Sequence, residues 1–269
     1  MKKIVALVAV LFSVITPVQS QAAVGERIVI IDSYFDKTKI SGSIEFVCLA
    51  SDGCVKTAIL KPGMGTDPAN HGTVMANIAR QQNLTATLVL IQTEEVLVSN
   101  KGVVSITTLD GSDFIKALEW VNLNKNNVSA VSFSYNLTNS NAKVGECKIS
   151  AQGGAVTVMD TSIKSLVASL KSSGIPVLAA AGNDNKKPLQ YPACLNDVVS
   201  IGSTGSAAYH QNNVKILATI INPDKASYMK SVAPWFGSVE FTTSAATVAV
   251  ASNWKSIPTG TTKVNILSN

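Results

Sequence analysis

Asn70-His71-Gly72-Thr73-Val74-Met75-Ala76-Asn77-Ile78-Ala79 reads as the start of a helix with a histidine at its mouth. Asn70 and Thr73 are residue types that favour helix starts. Met75, Ile78 and Ala79 recur at the helical spacing i, i+3, i+4. The helix therefore packs one face inward and holds His71 at its open end. A histidine there titrates near neutrality and can take and return a proton. Taken alone, it is equally compatible with a capping or core histidine. The other histidine of the chain, His210, lies among Tyr209, Gln211 and Asn212, a polar setting that predicts a solvated side chain.

Three further stretches fit a site built around His71. Residues 27–31 form a short β-branched run, suited to a buried parallel strand, and end on Asp32-Ser33. An acid at the carboxyl end of such a strand lies where open α/β sheets build their sites. Residues 175–181 are an apolar run ending at Gly182-Asn183-Asp184. Residues 244–252 are small and apolar on every side, which predicts a buried helix opening at Ser244.

Between these the chain alternates strands and helices. Residues 86–92, 128–133 and 198–203 read as further buried strands, and residues 112–122 and 160–173 as amphipathic helices. Residues 37–69 read as a loop and hairpin region, 94–110 as polar and β-rich, and 204–240 as short irregular strands and turns. The alternation predicts an α/β three-layer sandwich with a mostly parallel central sheet.

Composition narrows the class. The 269 residues are 46% hydrophobic and only 14% charged, which suits one domain with a sizeable core, or at most two, and excludes a disordered chain. Removing Lys2 and Lys3 lowers the formal charge from +5 to +3, and the remaining lysines are scattered, so nucleic acid is not an expected partner. Residues 1–22 read as a signal peptide: a Lys2-Lys3 start, an apolar run from Ile4 to Ile15, and Ser20-Gln21-Ala22 as the cleavage site. The run is too short to span a bilayer comfortably, and no membrane span is expected once it is removed. Residues 23–269 are then the working domain, secreted or periplasmic by bacterial export. Four cysteines suit that compartment, and three pairings are possible. Asp52-Gly53 between Cys48 and Cys54 predicts a clamped hairpin, which leaves Cys147 with Cys194. The cysteine spacing and the lack of nearby histidines argue against zinc.

Together these stretches resemble the subtilisin-like serine proteases, over about Arg27 to Trp254. Ile-Ile-Asp-Ser at 30–33 is similar to the family's aspartate motif and Asn-His-Gly-Thr at 70–73 to its histidine motif. Ala-Leu-Glu-Trp-Val at 117–121 with Val-Ser-Phe-Ser at 131–134 resembles its central helix and substrate-binding strand. Ala-Ala-Ala-Gly-Asn at 179–183 resembles its oxyanion strand. Tyr-Pro-Ala at 191–193, Val-Val-Ser-Ile-Gly at 198–202 and Thr-Thr-Ser-Ala-Ala at 242–246 complete the family's order of Asp, His, Ser.

The resemblance implies a secreted endopeptidase in which Ser244 is the nucleophile, His71 the general base, Asp32 its partner and Asn183 an oxyanion donor. It also implies that Ser134, Tyr135 and Asn136 face Ala180, Ala181 and Gly182 across the substrate pocket, with residues near 102–107 as the other edge. The expected partner is a polypeptide bound as an added strand, the expected form a monomer, and no metal or organic cofactor is expected. Residues 80–85 are too few for the family's usual calcium loop. Residues 23–26 leave no room for a pro-region, so folding is expected to be unaided or helped by a separate chain. Departures from the family pattern are Tyr34, Asn77, Asn136, Thr242, Ala245 and Val248. Thr242 replaces a glycine, and a positive φ at a β-branched residue there would displace the nucleophile. The alternative is a catalytically impaired relative that binds peptides or proteins.

Overall fold

The structure, a computed structural model, describes residues 25–50, 54, 71–93, 96–98, 104–106, 111–135, 137, 147, 149, 156–184, 188–206, 209, 211–220 and 241–266. Residues 1–22 and His210 lie outside them.

The central strands are buried on both faces, and the sequence shows why. In Arg27–Asp32 (β1), Ile28 and Ile30 join one apolar cluster, while Val29 and Ile31 join another on the opposite face. Thr87–Gln92 (β3) divides in the same way, with Leu88 and Leu90 on one side and Val89 and Ile91 on the other. Side chains alternate along a strand, so a run of consecutive apolar residues needs cover on both faces. Helices supply it. His71–Gln82 (α1) and Thr243–Ser252 (α4) pack on one face, and Gly111–Leu123 (α2) and Val156–Ser172 (α3) pack on the other.

The remaining strands are Ile44–Cys48 (β2), Val128–Phe133 (β6), Val177–Ala180 (β7), Val198–Ser203 (β8), Ile216–Ile220 (β9) and Lys263–Ile266 (β10). Eight strands form one parallel sheet in the order β10-β9-β8-β7-β6-β1-β3-β2. Val96–Val98 (β4) and Val104–Ile106 (β5) make a separate antiparallel ribbon. The bounds of β6 and β8 are those the sequence predicts. Two edges differ from the expectation. Residues 44–48 lie in a region read as loop and hairpin, yet β2 is a parallel edge strand on β3. Its first four residues are half-buried and mix Glu45 with apolar neighbours, so no apolar run marks it. The far edge extends through β9 to β10, beyond the stretch that carries the family resemblance. Two disulfides are present, Cys48–Cys54 and Cys147–Cys194, each with Cα atoms 5.7 Å apart. The turn between Cys48 and Cys54, at residues 51–53, lies outside the described residues.

The C-terminal end of α1 is built around an internal cation. Arg80 is 5% exposed, and burial pulls its pKa below the usual arginine range. Its guanidinium donates to the carbonyls of Ser41 at 2.9 Å, Ser43 at 2.8 Å, Asn83 at 3.4 Å, Leu84 at 3.1 Å and Ala86 at 2.7 Å. Gly42 makes this possible: its φ is +77°, and a Cβ there would lie 2.8 Å from the guanidinium carbon. Converging carbonyls are the oxygen ligands a calcium ion takes. Here Arg80 takes this group of them. Among the described residues, no group of three or more His, Cys, Asp or Glu side chains could hold a metal, and no helix is long and apolar enough to cross a membrane.

Candidate active site

β1, α1, β6, β7 and α4 bring the predicted site residues to one end of the sheet. Asp32 closes β1, is fully buried and sits under the first turn of α1. His71 is the first residue of α1, with its side chain one-third exposed. Its Nδ1 lies 2.9 and 3.0 Å from the two Asp32 oxygens. Gly72 permits this approach: a Cβ there would lie 2.6 Å from the Tyr34 carbonyl oxygen and 3.1 Å from the Asp32 Cβ. Thr73 ties the same turn to the loop after β1 by accepting from the Asp36 amide at 2.8 Å.

Asp32 Oδ1 is the focus of several donors. The Ser33 amide donates at 2.8 Å, the Ser33 hydroxyl at 3.3 Å and the Tyr135 hydroxyl at 3.4 Å, besides the imidazole.

Ser244 is the second residue of α4 and is 7% exposed. Its hydroxyl donates to the Ser134 carbonyl at 3.2 Å. Thr242 does not take the conformation that would displace it. Its φ is −70° and ψ 175°, an extended geometry open to any residue. Its hydroxyl accepts from the Ala245 amide at 3.2 Å, so the threonine caps α4 and closes the turn that presents Ser244. The residue just before it is also fixed, because the Ser203 hydroxyl at the end of β8 donates to the Phe241 carbonyl at 2.6 Å.

Asn183 follows β7 and is exposed. Its Oδ1 accepts from the Thr243 amide at 3.2 Å and from the Thr243 hydroxyl at 3.0 Å. Two donors on the oxygen fix the plane of the carboxamide and turn its amide group outward. Thr243 was not singled out from sequence; a hydroxyl residue beside the serine was the signal. The contacts form one connected set. Asp32 touches His71 and Tyr135, the adjacent Ser134 touches Ser244, and the next helix residue, Thr243, holds Asn183.

The predicted pocket walls are neighbours in the sheet. β6 and β7 pair in parallel with Phe133 opposite Ala179, so Ser134 and Tyr135 leave the sheet beside Ala180 and Ala181. Ala181 is fully buried, and Gly182 turns with φ +98°. Leu137 donates to the Tyr191 carbonyl at 2.9 Å, which ties the first wall to the segment bearing Cys194. Asn136 and residues 102, 103 and 107 lie outside the described residues.

The Subtilase family model matches residues 28–267. The solved structure of the nisin leader peptidase NisP from Lactococcus lactis is similar at 15% identity and a TM-score of 0.55, over 92% of this chain and 87% of that one. The epidermin leader peptide processing serine protease EpiP from Staphylococcus aureus is similar at 15% identity and a TM-score of 0.51, over 86% of this chain and 64% of that one. At such identities the two structures speak for the fold. No curated protein matches the chain in sequence. The family model spans nearly the whole sheet and every element of the site, and on that match the chain belongs to the Subtilase family and is a serine-type, subtilisin-like peptidase.

Proposed function

We propose that the chain is an exported endopeptidase that cuts polypeptides through an acyl-enzyme. The Ser244 Oγ attacks the peptide carbonyl as its proton passes to the Nε2 of His71. His71 then gives that proton to the leaving amine as the C–N bond breaks, and water repeats the sequence in reverse to free the acid. Asp32 holds the imidazole tautomer and balances its charge. Asn183 and the Ser244 amide face the oxyanion, and the positive end of α4 favours the same charge. The substrate pairs as an added strand with residues 134–136, beside Ala180, Ala181 and Gly182.

The observation that carries this reading is His71 Nδ1 seated on both Asp32 oxygens at 2.9 and 3.0 Å. With Nδ1–H donating its hydrogen bond to the carboxylate, Nε2 is the basic nitrogen. The Ser244 hydroxyl on Ser134 is then the resting position from which it turns to the imidazole. The disulfides fit an oxidising compartment, and residues 1–22 are the segment that export would remove. The working form is a monomer of residues 23–269.

The test is cleavage of casein by the purified protein and by Ser244→Ala, with folding checked by circular dichroism. Cleavage by the parent and none by the variant supports the reading. A folded parent that cleaves nothing would turn the site into a peptide-binding groove.

A further inference from the structure

We infer that Tyr135 is a positioning residue that links the peptide-binding segment to the Asp32–His71 pair, through its phenol on Asp32 Oδ1 and its ring against the imidazole; this rests on the endopeptidase reading above. Residue 135 is the second residue after β6, on the wall where a peptide strand would add. Its side chain reaches back into the site. The hydroxyl lies 3.4 Å from Asp32 Oδ1, and the ring lies 6.0 Å from the imidazole at 55° between planes. Phe133 backs it from the other side, 6.2 Å between ring centres. One residue earlier, the Ser134 carbonyl holds the Ser244 hydroxyl. Two consecutive residues of one segment thus contact the nucleophile and the acid separately. A peptide pairing with this segment bears on both contacts at once.

The charge logic gives a sign. Against His71 stand Asp32 from β1 and Tyr135 from the segment after β6, with the carbonyl of the buried Tyr34 behind Gly72. Asp32 is the carboxylate of this group, and its Oδ1 collects the Tyr135 hydroxyl together with the Ser33 amide and hydroxyl. Each donor spreads carboxylate charge and weakens its hold on an imidazolium. Removing the phenol hydroxyl returns that charge to His71 and raises its pKa. A separation of 3.4 Å is long for an O–H donor. Such contacts tighten when substrate seats, because apo sites hold their hydrogen bonds loosely. The coupling is therefore present in the free protein, where the titration reads it, and grows with peptide bound.

The experiment compares the parent with Tyr135→Phe, which keeps the ring, and Tyr135→Leu, which removes it. NMR follows the His71 imidazole titration, and a fluorogenic peptide gives the pH profile of kcat/KM. In Tyr135→Phe the His71 titration moves up by about half a unit, and the acid limb of the profile moves with it. kcat falls by about three-fold while KM stays within about two-fold. Tyr135→Leu shows the same upward shift and a higher KM, since the wall is lost as well. A Tyr135→Phe titration within about a tenth of a unit of the parent overturns the proposal. The two claims separate cleanly. A parent that cleaves nothing but whose His71 still responds to Tyr135→Phe retires the endopeptidase reading and keeps the coupling. A cleaving parent with an unresponsive His71 does the opposite. If Tyr135→Phe fails to fold, the 13Cζ shift of Tyr135 in the parent decides. An inflection at the His71 pKa supports the coupling, and a flat trace through it contradicts it.

Discussion

The two helices that open at the site, α1 and α4, are held in opposite ways. α1 carries His71 as its first residue; Thr73 ties that turn to the loop after β1, and a few residues from the far end Arg80 gathers five backbone carbonyls. α4 carries Ser244 in its first turn and is anchored there, by the Thr242 cap and the Ser203–Phe241 bond. The difference follows from what the proposed reaction asks of each side chain. His71 is aimed by a partner, Asp32, so its helix needs only to be held in place. Ser244 and the amide beside it are aimed by the backbone, so the turn itself has to be fixed. One helix is therefore secured for stability, and the other for geometry.

The largest test of this contrast strikes the two side chains proposed to react. His71→Ala and Ser244→Ala should each lower turnover by about ten-thousand-fold or more, to the same floor, and the double variant should fall no further. Asp32→Asn should come close to that floor, because the imidazole loses its tautomer and its countercharge. Steady-state turnover of casein reads all of these, and a double variant well below either single one would show that the residues act separately.

Next comes the backbone-aimed side. Asn183→Ala should lower kcat by about a hundred-fold or more with KM nearly unchanged. Thr243→Val removes the hydroxyl on the Asn183 oxygen and should cost about ten-fold, again in kcat. A rise in KM without loss of kcat would place Asn183 in substrate binding alone.

The far end of α1 should separate stability from rate. Arg80→Met leaves five converging carbonyls without their donor and should destabilise the fold by about 3 kcal/mol or more. The folded fraction should keep its kcat, because the clamp lies away from His71. Urea titration and activity per active site measure the two separately. Chelator should leave the parent's melting temperature where it is, since the carbonyl group already holds its cation. The smallest effect belongs to the cap. Thr242→Ala should cost about 1 kcal/mol and Thr242→Gly only a few tenths. Both should lower kcat more than their stability loss alone accounts for, if the cap serves geometry.

The core strands and three of the four helices among the described residues can be read from the sequence because apolar runs and helical spacing are local patterns. α4 was legible for another reason: small apolar residues on all sides leave no face for solvent. Asp32, His71, Asn183 and Ser244 could be singled out because each sits at the end of such an element. What the sequence hid depends on contacts between distant residues. Arg80 looks like an ordinary last-turn base until Ser41 and Ser43, nearly forty positions earlier, close over it. β2 has no apolar run because a sheet edge needs only half-burial. Thr242 looked like a strained substitute for glycine, and the backbone there turned out extended, so its hydroxyl became a cap. Tyr135 read as a pocket wall, and its hydroxyl on Asp32 came from the return of β6 beside β1.

The central claim is that Ser244 is activated by His71 at this one site, and a fluorophosphonate reports it directly. The reagent phosphonylates a serine only when a neighbouring base has raised its nucleophilicity. Treatment of the purified parent, digestion and mass mapping should place one adduct on Ser244. His71→Ala should take up none, and Arg80→Met should be labelled to the extent that it is folded. A folded parent that stays unlabelled, or carries the adduct on another serine, would contradict the account.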